Sequence, residues 1–380
     1  MTPELWRIDP QRLPPPLRQA LSKELHLWVG AWLRDRALKA TLPHIEGRRH
    51  LLFGVCDHFE PLHGHAPREV ALARVRAWQE GLPALARPFR DASGRPPRHT
   101  FFYPGEEYDP ALVDPLAQLV GAGLAEVEVH LHHDGDTRAT LRERLRHTVA
   151  ALGAHGLVPR LAENPAWSFV HGNWSLANGR RDGRWCGVDD ELRLLHELGC
   201  YADFTFPSAP DPCQPVVVNS IYYPRDASRR RAYDEAEPVR VGSVKRRGVL
   251  LVQGPLAITR RARSRGLRIE AAALSSSDPP SAARLATWIA QRVHVRGRPE
   301  WTFVKVHAHG APEKNARVML GEPMAALHEA LAELAARGTW RVHYVTAREM
   351  YNVVRAAMDG MPGSPDAYFD YDVPPPERAT

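Results

Sequence analysis

The chain has 380 residues, of which 44% are hydrophobic and 25% charged, with a formal net charge of +6. That is a globular composition, sufficient for one large domain or two, and it argues against a disordered or fibrous chain. The opening MTPELWRIDPQRLPPP has no apolar h-region, and the early apolar stretch LHLWVGAWL is too short to span a bilayer, so the expected compartment is the cytoplasm.

In chain order, residues 1–45 read as a helical arm, with one amphipathic helix from about Pro16 to Leu42. Strands are then expected at 50–56, 99–103, 125–131, 167–171, 201–206, 216–223, 248–253, 301–308 and 341–346. Helices are expected at 67–86, 109–122, 137–153, 189–198, 281–293, 323–337 and 347–358. The alternation favours an α/β chain with mostly parallel strands, and apolar runs such as GVLLVQ and FVKV suit strands buried on both faces. The expected architecture is a distorted barrel of seven or eight β/α units over residues 46–358. Within it, 207–268 form an elaborated basic excursion, and 359–380 an irregular tail whose prolines forbid a long helix.

Polar residues gather where the apolar runs stop. LAEVEVHLHHDGDT ends in His130, His132, His133 and Asp134, four potential metal ligands within five positions. LLFGVCDHFEP carries Asp57, His58 and Glu60, and WTFVKVHAHGA carries His307 and His309. Clusters at several strand ends are how α/β barrels assemble an active site. The four cysteines, Cys56, Cys186, Cys200 and Cys213, form no CxxC pair and suggest neither a disulfide framework nor a zinc ribbon. Cys56 reads as a small buried hydrophobe beneath the site.

The order and spacing of these segments, over roughly residues 48–350, resemble the polysaccharide deacetylase superfamily of metal-dependent carbohydrate esterases and their glycoside hydrolase relatives. VCDHF stands where that family has TFDDG, HTFFYPG at 99–105 where it has its ATFF strand, and EVEVHLHHD where it has E-I-G-x-H-[S/T]-x-x-H. SFVHGNWSL at 168–176 takes the place of its RxPY loop, GCYADFTFPSAP, with Asp203, that of the next strand, and FVKVHAHG that of its LxH strand. The resemblance is to an uncharacterised bacterial deacetylase-like branch, and it implies a metal held by His58, His130 and Asp134. It further implies Asp57 as catalytic base and His307 as general acid, with His309 a near rival. His58 replaces the family's metal-binding Asp, and Asp134 its second His, so two histidines and one carboxylate remain. That set suits a divalent transition metal, zinc foremost. In the alternative, His132 or His133 is the third ligand and Asp134 an acceptor behind it.

The chemistry expected is removal of an acyl group, N-acetyl in the first instance, from a sugar or saccharide intermediate. A metal polarises the carbonyl and acidifies water, Asp57 removes the proton, and His307 protonates the leaving nitrogen. An N–H in the Gly172–Asn173 loop would serve as an oxyanion donor, Trp174, Tyr103 and Trp185 as stacking surfaces, and Asn173, Trp174, His309 and Asp203 as substrate contacts. Competing readings are a glycoside hydrolase pairing Asp57 with Asp203 or Glu106, an amidohydrolase using the H-x-H at 130–132, and a degenerate saccharide-binding barrel. Residues 225–268 hold thirteen basic against four acidic side chains. This excess suggests either a solvated surface or a rim for an anionic substrate such as a nucleotide-linked or uronic-acid sugar. No nucleic-acid-binding motif accompanies it, and no membrane span is expected.

Overall fold

A computed structural model describes residues 24–244, 247–260 and 267–377. Among them, eleven strands form one sheet: β1 (Arg49–His58), β2 (His99–Pro104), β3 (Ala125–Leu131), β4 (Trp167–His171), β5 (Cys200–Asp203), β6 (Ile221–Pro224), β7 (Ala236–Pro238), β8 (Leu250–Val252), β9 (Ala273–Leu274), β10 (Trp301–Ala308) and β11 (Trp340–Tyr344). The order is β9-β10-β1-β2-β3-β4-β5-β8-β6-β7, with β11 also paired to β1. Every pairing among these strands is parallel except β8 with β6 and β6 with β7. The helices are α1 (Leu25–Ala40), α2 (Arg68–Ala86), α3 (Pro110–Gly121), α4 (Arg138–Ala154), α5 (Glu191–Glu197), α6 (Ala282–Ala290), α7 (Glu313–Met319), α8 (Glu322–Ala336) and α9 (Ala347–Met358).

Alternate residues of each strand pack into different apolar clusters. On one face Leu51, Phe53, Val55, Phe101, Val127 and Val129 pack with Trp78 and Leu82 of α2, Leu112 and Leu116 of α3 and Leu145 of α4. On the inner face Leu52, Cys56, Phe102, Val170, Phe204, Leu250, Val252 and Phe303 form one cluster with Met350, Val353 and Val354 of α9. Phe303 and Leu250 lie far apart in strand order, so the sheet must curl for them to share a cluster. Lys305 of β10 reaches across the curl, donating from Nζ to the carbonyls of Phe204 (2.5 Å) and Phe206 (2.7 Å). The result is a mixed α/β fold with a mostly parallel, curled sheet compatible with the expected distorted barrel, although strand pairing does not close it among the described residues. The two antiparallel pairings come from the 207–268 excursion, whose β6 and β7 continue the sheet beyond β8.

Local chemistry sets the helix starts. Thr137 and Thr140 cap α4 reciprocally, Thr346 and Glu349 cap α9 in the same way, and Asp109 accepts the Ala111 N–H ahead of Pro110 at the start of α3. Helix α1 buries Leu25, Trp28 and Trp32 against Ala209, Val218 and Leu256, as its apolar spacing requires. The part of the expected arm helix before residue 24 lies outside the described residues. No described helix is long and apolar enough to cross a membrane.

The C-terminal segment is not loose, and within it Pro365–Tyr368 form one turn of 3-10 helix. Arg348 of α9, itself buried, binds Glu126 (2.8 Å) and donates to Phe369 O (3.1 Å), Val373 O (2.8 Å) and Asp370 (2.7 Å). Asn352 adds donors to the same two carbonyls at 2.7 and 2.8 Å. Pro365 opens that turn, where its missing N–H costs nothing, and the carbonyls beyond it are taken up by α9.

Two residues along β3, Glu128 lies on the inner face and accepts from Ser168 N (2.6 Å) and Tyr201 Oη (2.5 Å). Burial pushes its carboxyl up to about 7, against the lowering effect of those two bonds. The folded state therefore keeps this proton to near pH 7, whereas the unfolded chain releases it near 4.5. The resulting stabilisation is complete below that unfolded value and is lost as pH rises through about 7. Urea unfolding of the wild type and Glu128→Gln should show the wild type losing stability relative to the variant between these limits, by on the order of a few kcal/mol. A difference independent of pH would contradict the buried, protonated carboxyl.

Candidate metal centre

Three strand ends supply the site, each with a pair of residues two apart. In β1 the inner face takes Leu52, Cys56 and His58, and the next residue of that parity is Glu60. In β3 it takes Glu128 and His130, followed by His132. In β10 it takes Phe303, Lys305 and His307, followed by His309. The register sets Cys56 beside His307 and Pro104 beside His130, bringing the three ends together.

Glu60 is the hub. Its Oε1 lies 3.3 Å from His130 Nε2, 3.5 Å from His132 Nε2 and 3.3 Å from His309 Nδ1, while Oε2 meets His63 Nδ1 at 2.8 Å. His58 stands over the group, with ring centroids 5.0 Å from His130, 4.8 Å from His309 and 6.0 Å from His307. Two ligand triplets share Glu60: His58–Glu60–His309 and Glu60–His130–His132. Gly172 makes room for the rim, since a Cβ there would overlap the ring of His132. His132 is held from outside by Glu106 Oε1, which accepts from its backbone N (3.0 Å) and pairs with Nδ1 (2.5 Å).

The electrostatics favour bare imidazole nitrogens around an ionised carboxylate. Burial, then the neighbouring His309, His130 and His307, holds His58 well below the ordinary histidine value. Burial and Lys305 do the same for His307. For Glu60 burial acts upward, but hydrogen bonding to His130 and His309 outweighs it and keeps the carboxyl far below its usual range. Both ring nitrogens of His58 are buried without a hydrogen-bond partner, as is Nδ1 of His307. Val170 O can only accept, so His130 Nδ1 carries a hydrogen toward it (3.0 Å), and Nε2 is the ring atom that faces Glu60. The unpartnered ring nitrogens of His58 stand beside an ionised carboxylate, a combination that a cation between them would satisfy. These His and Glu groups could hold a metal ion.

The structure brings His58 and His130 together with His307 and His309, and it separates two other expected members. Asp57 does not face the site. It leaves β1 on the helix face, where it accepts from Gly310 N (2.6 Å) and meets His99 Nε2 (3.0 Å) beside Trp78. Its assignment as base is therefore corrected: β1 remains extended through His58, so neighbours diverge and Asp57 becomes a brace for the turn after His309. Asp134 is also corrected, being exposed and accepting the Trp185 N–H at 2.5 Å. His133 points away into a separate cluster, which leaves His132 as the member of that run beside Glu60.

The expected substrate contacts divide similarly. Trp174 lies at the rim, perpendicular to His309 with centroids 6.5 Å apart, and its buried Nε1 has no partner. The Asn173 N–H is spent on His171 Nδ1 (3.2 Å), so it is not a free oxyanion donor. Asp203 is buried and bonded to Thr205 (2.8 Å), and burial pushes it up to about 7. It is not a surface contact. Tyr103 is buried on the helix face with its hydroxyl on Glu107 O (2.8 Å), and Trp185 is covered by Arg180 at 4.2 Å. Arg229, Arg230 and Arg231 of the basic excursion are engaged in turn by Asp226 (3.0 Å), Asn178 O (2.8 Å) and Asp234 (2.7 Å). Glu60 was not among the expected ligands; the signal for it was its position two residues beyond His58.

Comparison of the chain with models of known protein families gives no match. The reassignment of Asp57 can be checked directly. Asp57→Asn keeps an acceptor for Gly310 and should leave bound metal and fold unchanged. Asp57→Ala orphans a buried N–H and should cost about 1–3 kcal/mol in chemical denaturation. Loss of metal from Asp57→Asn while the fold persists would return Asp57 to the site.

Proposed function

We propose that the protein is a divalent-metal-dependent hydrolase that removes an acyl group, N-acetyl in the first instance, from a sugar or saccharide intermediate, on a distorted β/α-barrel-like scaffold of the polysaccharide deacetylase kind. The observation that carries the reading is the convergence of His58, Glu60, His130, His132 and His309 around one buried carboxylate, with both nitrogens of His58 unpartnered. His58, Glu60, His130 and His309 would hold the ion, and this mixed nitrogen and oxygen set suits zinc. The bound ion supplies Lewis acidity, polarising an acyl carbonyl and acidifying water.

The chain's own residues carry the rest. His132 is the half-exposed imidazole beside Glu60, backed by Glu106 in the manner of a base held by a carboxylate. It would take a proton from water and return it to the leaving amine. His307 lies buried behind His58, so the acid role suggested by resemblance passes to half-exposed His132. Trp174 offers an apolar face and an unpaired N–H at the rim, a pairing suited to a sugar ring. A glycoside hydrolase is less well supported, because Asp57 faces the helices and Asp203 is enclosed, so the expected carboxylate pair is not assembled.

The test is metal content together with hydrolysis of N-acetylated saccharides. His58→Ala should lose the ion of this site and lower turnover by at least about 10²-fold, and His132→Gln should lower turnover by a similar factor while retaining metal. Full metal occupancy and activity in folded His58→Ala would overturn the proposal.

A further inference from the structure

A second cluster lies behind the first, on the far side of the β3 and β4 ends. It consists of His133, two residues past the end of β3, His171, the last residue of β4, Cys186 in the following loop, and Glu191, the first residue of α5. All four are buried, and one ligand atom from each lies within 4.8 Å of the others. We propose that these four residues form a second, structural metal site that takes a tetrahedral divalent ion of the zinc type.

Glu191 carries the argument. Its Oε1 lies 3.1 Å from His133 Nε2 and 3.9 Å from His171 Nε2. Its Oε2 accepts from Ala177 N (2.7 Å) and lies 3.4 Å from Cys186 Sγ. No partner of this enclosed carboxylate carries a fixed positive charge, and a buried anion without a counter-charge is costly. Tetrahedral bonds of about 2.0–2.3 Å separate ligand atoms by roughly 3.3–3.7 Å, a range that the Glu191 spacings of 3.1 to 3.9 Å bracket.

Each ligand also has the support that metal binding uses. His133 Nδ1 lies 3.2 Å from Asp136 Oδ2, and metal at Nε2 puts the ring proton on Nδ1, facing that carboxylate. Cys186 Sγ accepts from Asn178 N (3.3 Å) and Val188 N (3.4 Å), donors that favour a thiolate, while burial and the adjacent Glu191 push the thiol up in the absence of a cation. His171 Nε2 is buried without a hydrogen-bond partner. Ligation there moves its proton to Nδ1 and releases the Asn173 N–H, while the ion takes the place of the His133 and Cys186 hydrogens that now face Glu191. Asn173 precedes Trp174, so the second site is tied to the rim of the first. Three imidazole and thiol ligands with one carboxylate leave no open position, as in structural rather than catalytic zinc sites.

An ion here would hold the 172–190 loop, in which Trp174, Ala177, Asn178 and Trp185 all adopt positive φ, between 48° and 67°. Such conformations persist only where surrounding contacts over-determine them. The same loop supplies Gly172, against which His132 packs.

The test uses the full chain expressed in zinc-replete medium. Cys186→Ser should bind one equivalent of zinc fewer than the wild type, and His58→Ala should lose a different equivalent. Replacement of zinc by cobalt in the wild type should give a sulfur-to-cobalt charge-transfer band in the near ultraviolet, absent from folded Cys186→Ser and retained in His58→Ala. Should Cys186→Ser fail to fold, the wild-type cobalt spectrum decides alone. A cobalt-loaded wild type without that band, or a folded Cys186→Ser with the wild-type zinc count, overturns the second site. Loss of metal confined to Cys186→Ser sustains the second site and removes the first.

Discussion

Successive side chains of an extended strand leave on opposite faces, and the candidate centre depends on this constraint at three strand ends at once. His58 and Glu60, His130 and His132, and His307 and His309 share one parity, and each pair brings one residue inside the sheet and one to its rim. Parallel register aligns the pairs, because Cys56 stands beside His307 and Pro104 beside His130. The intervening residues do structural work. Asp57 fixes the turn after His309 through Gly310, where a Cβ would overlap its carboxylate, and Leu131 packs with the helix-side core.

Such a site concentrates unpartnered polar atoms that a bound ion would satisfy. The strand ends bury a carboxylate and several imidazoles whose nitrogens have no hydrogen-bond partners, at the level where water could otherwise solvate them. Elsewhere buried carboxylates have guanidinium partners: Glu126 has Arg348 at 2.8 Å, and Glu270 has Arg284 at 2.7 Å. Glu60 and Glu191 have imidazoles or a thiol where those residues have guanidinium groups. The contrast distinguishes two places that could hold a cation from two that supply their own.

Much of the fold was legible in the sequence because period and punctuation agree with the final structure. The ranges 125–131, 167–171, 301–308 and 347–358 coincide with β3, β4, β10 and α9. Helix α7 was not anticipated; seven residues offer too little periodicity. Of the site, the histidine pairs were legible as polar residues where apolar runs stop. Asp57 and Asp134 were misplaced because alignment by resemblance matches positions, whereas strand parity decides which face a side chain reaches. Glu60 could have been found by applying that parity beyond the end of the strand. Cys186 and Glu191 could not, since their meeting with His133 and His171 depends on the path of a long loop with little regular structure.

The most direct measurement of the central claim is a crystal structure of the metal-loaded protein with anomalous scattering recorded at the zinc edge. The account predicts a peak bounded by His58, Glu60, His130 and His309, within about 2.0–2.2 Å of their ligand atoms, with Asp57 still bound to Gly310. A peak coordinated by Asp57 or Asp134, or no peak among the three strand ends in zinc-saturated crystals, would contradict it.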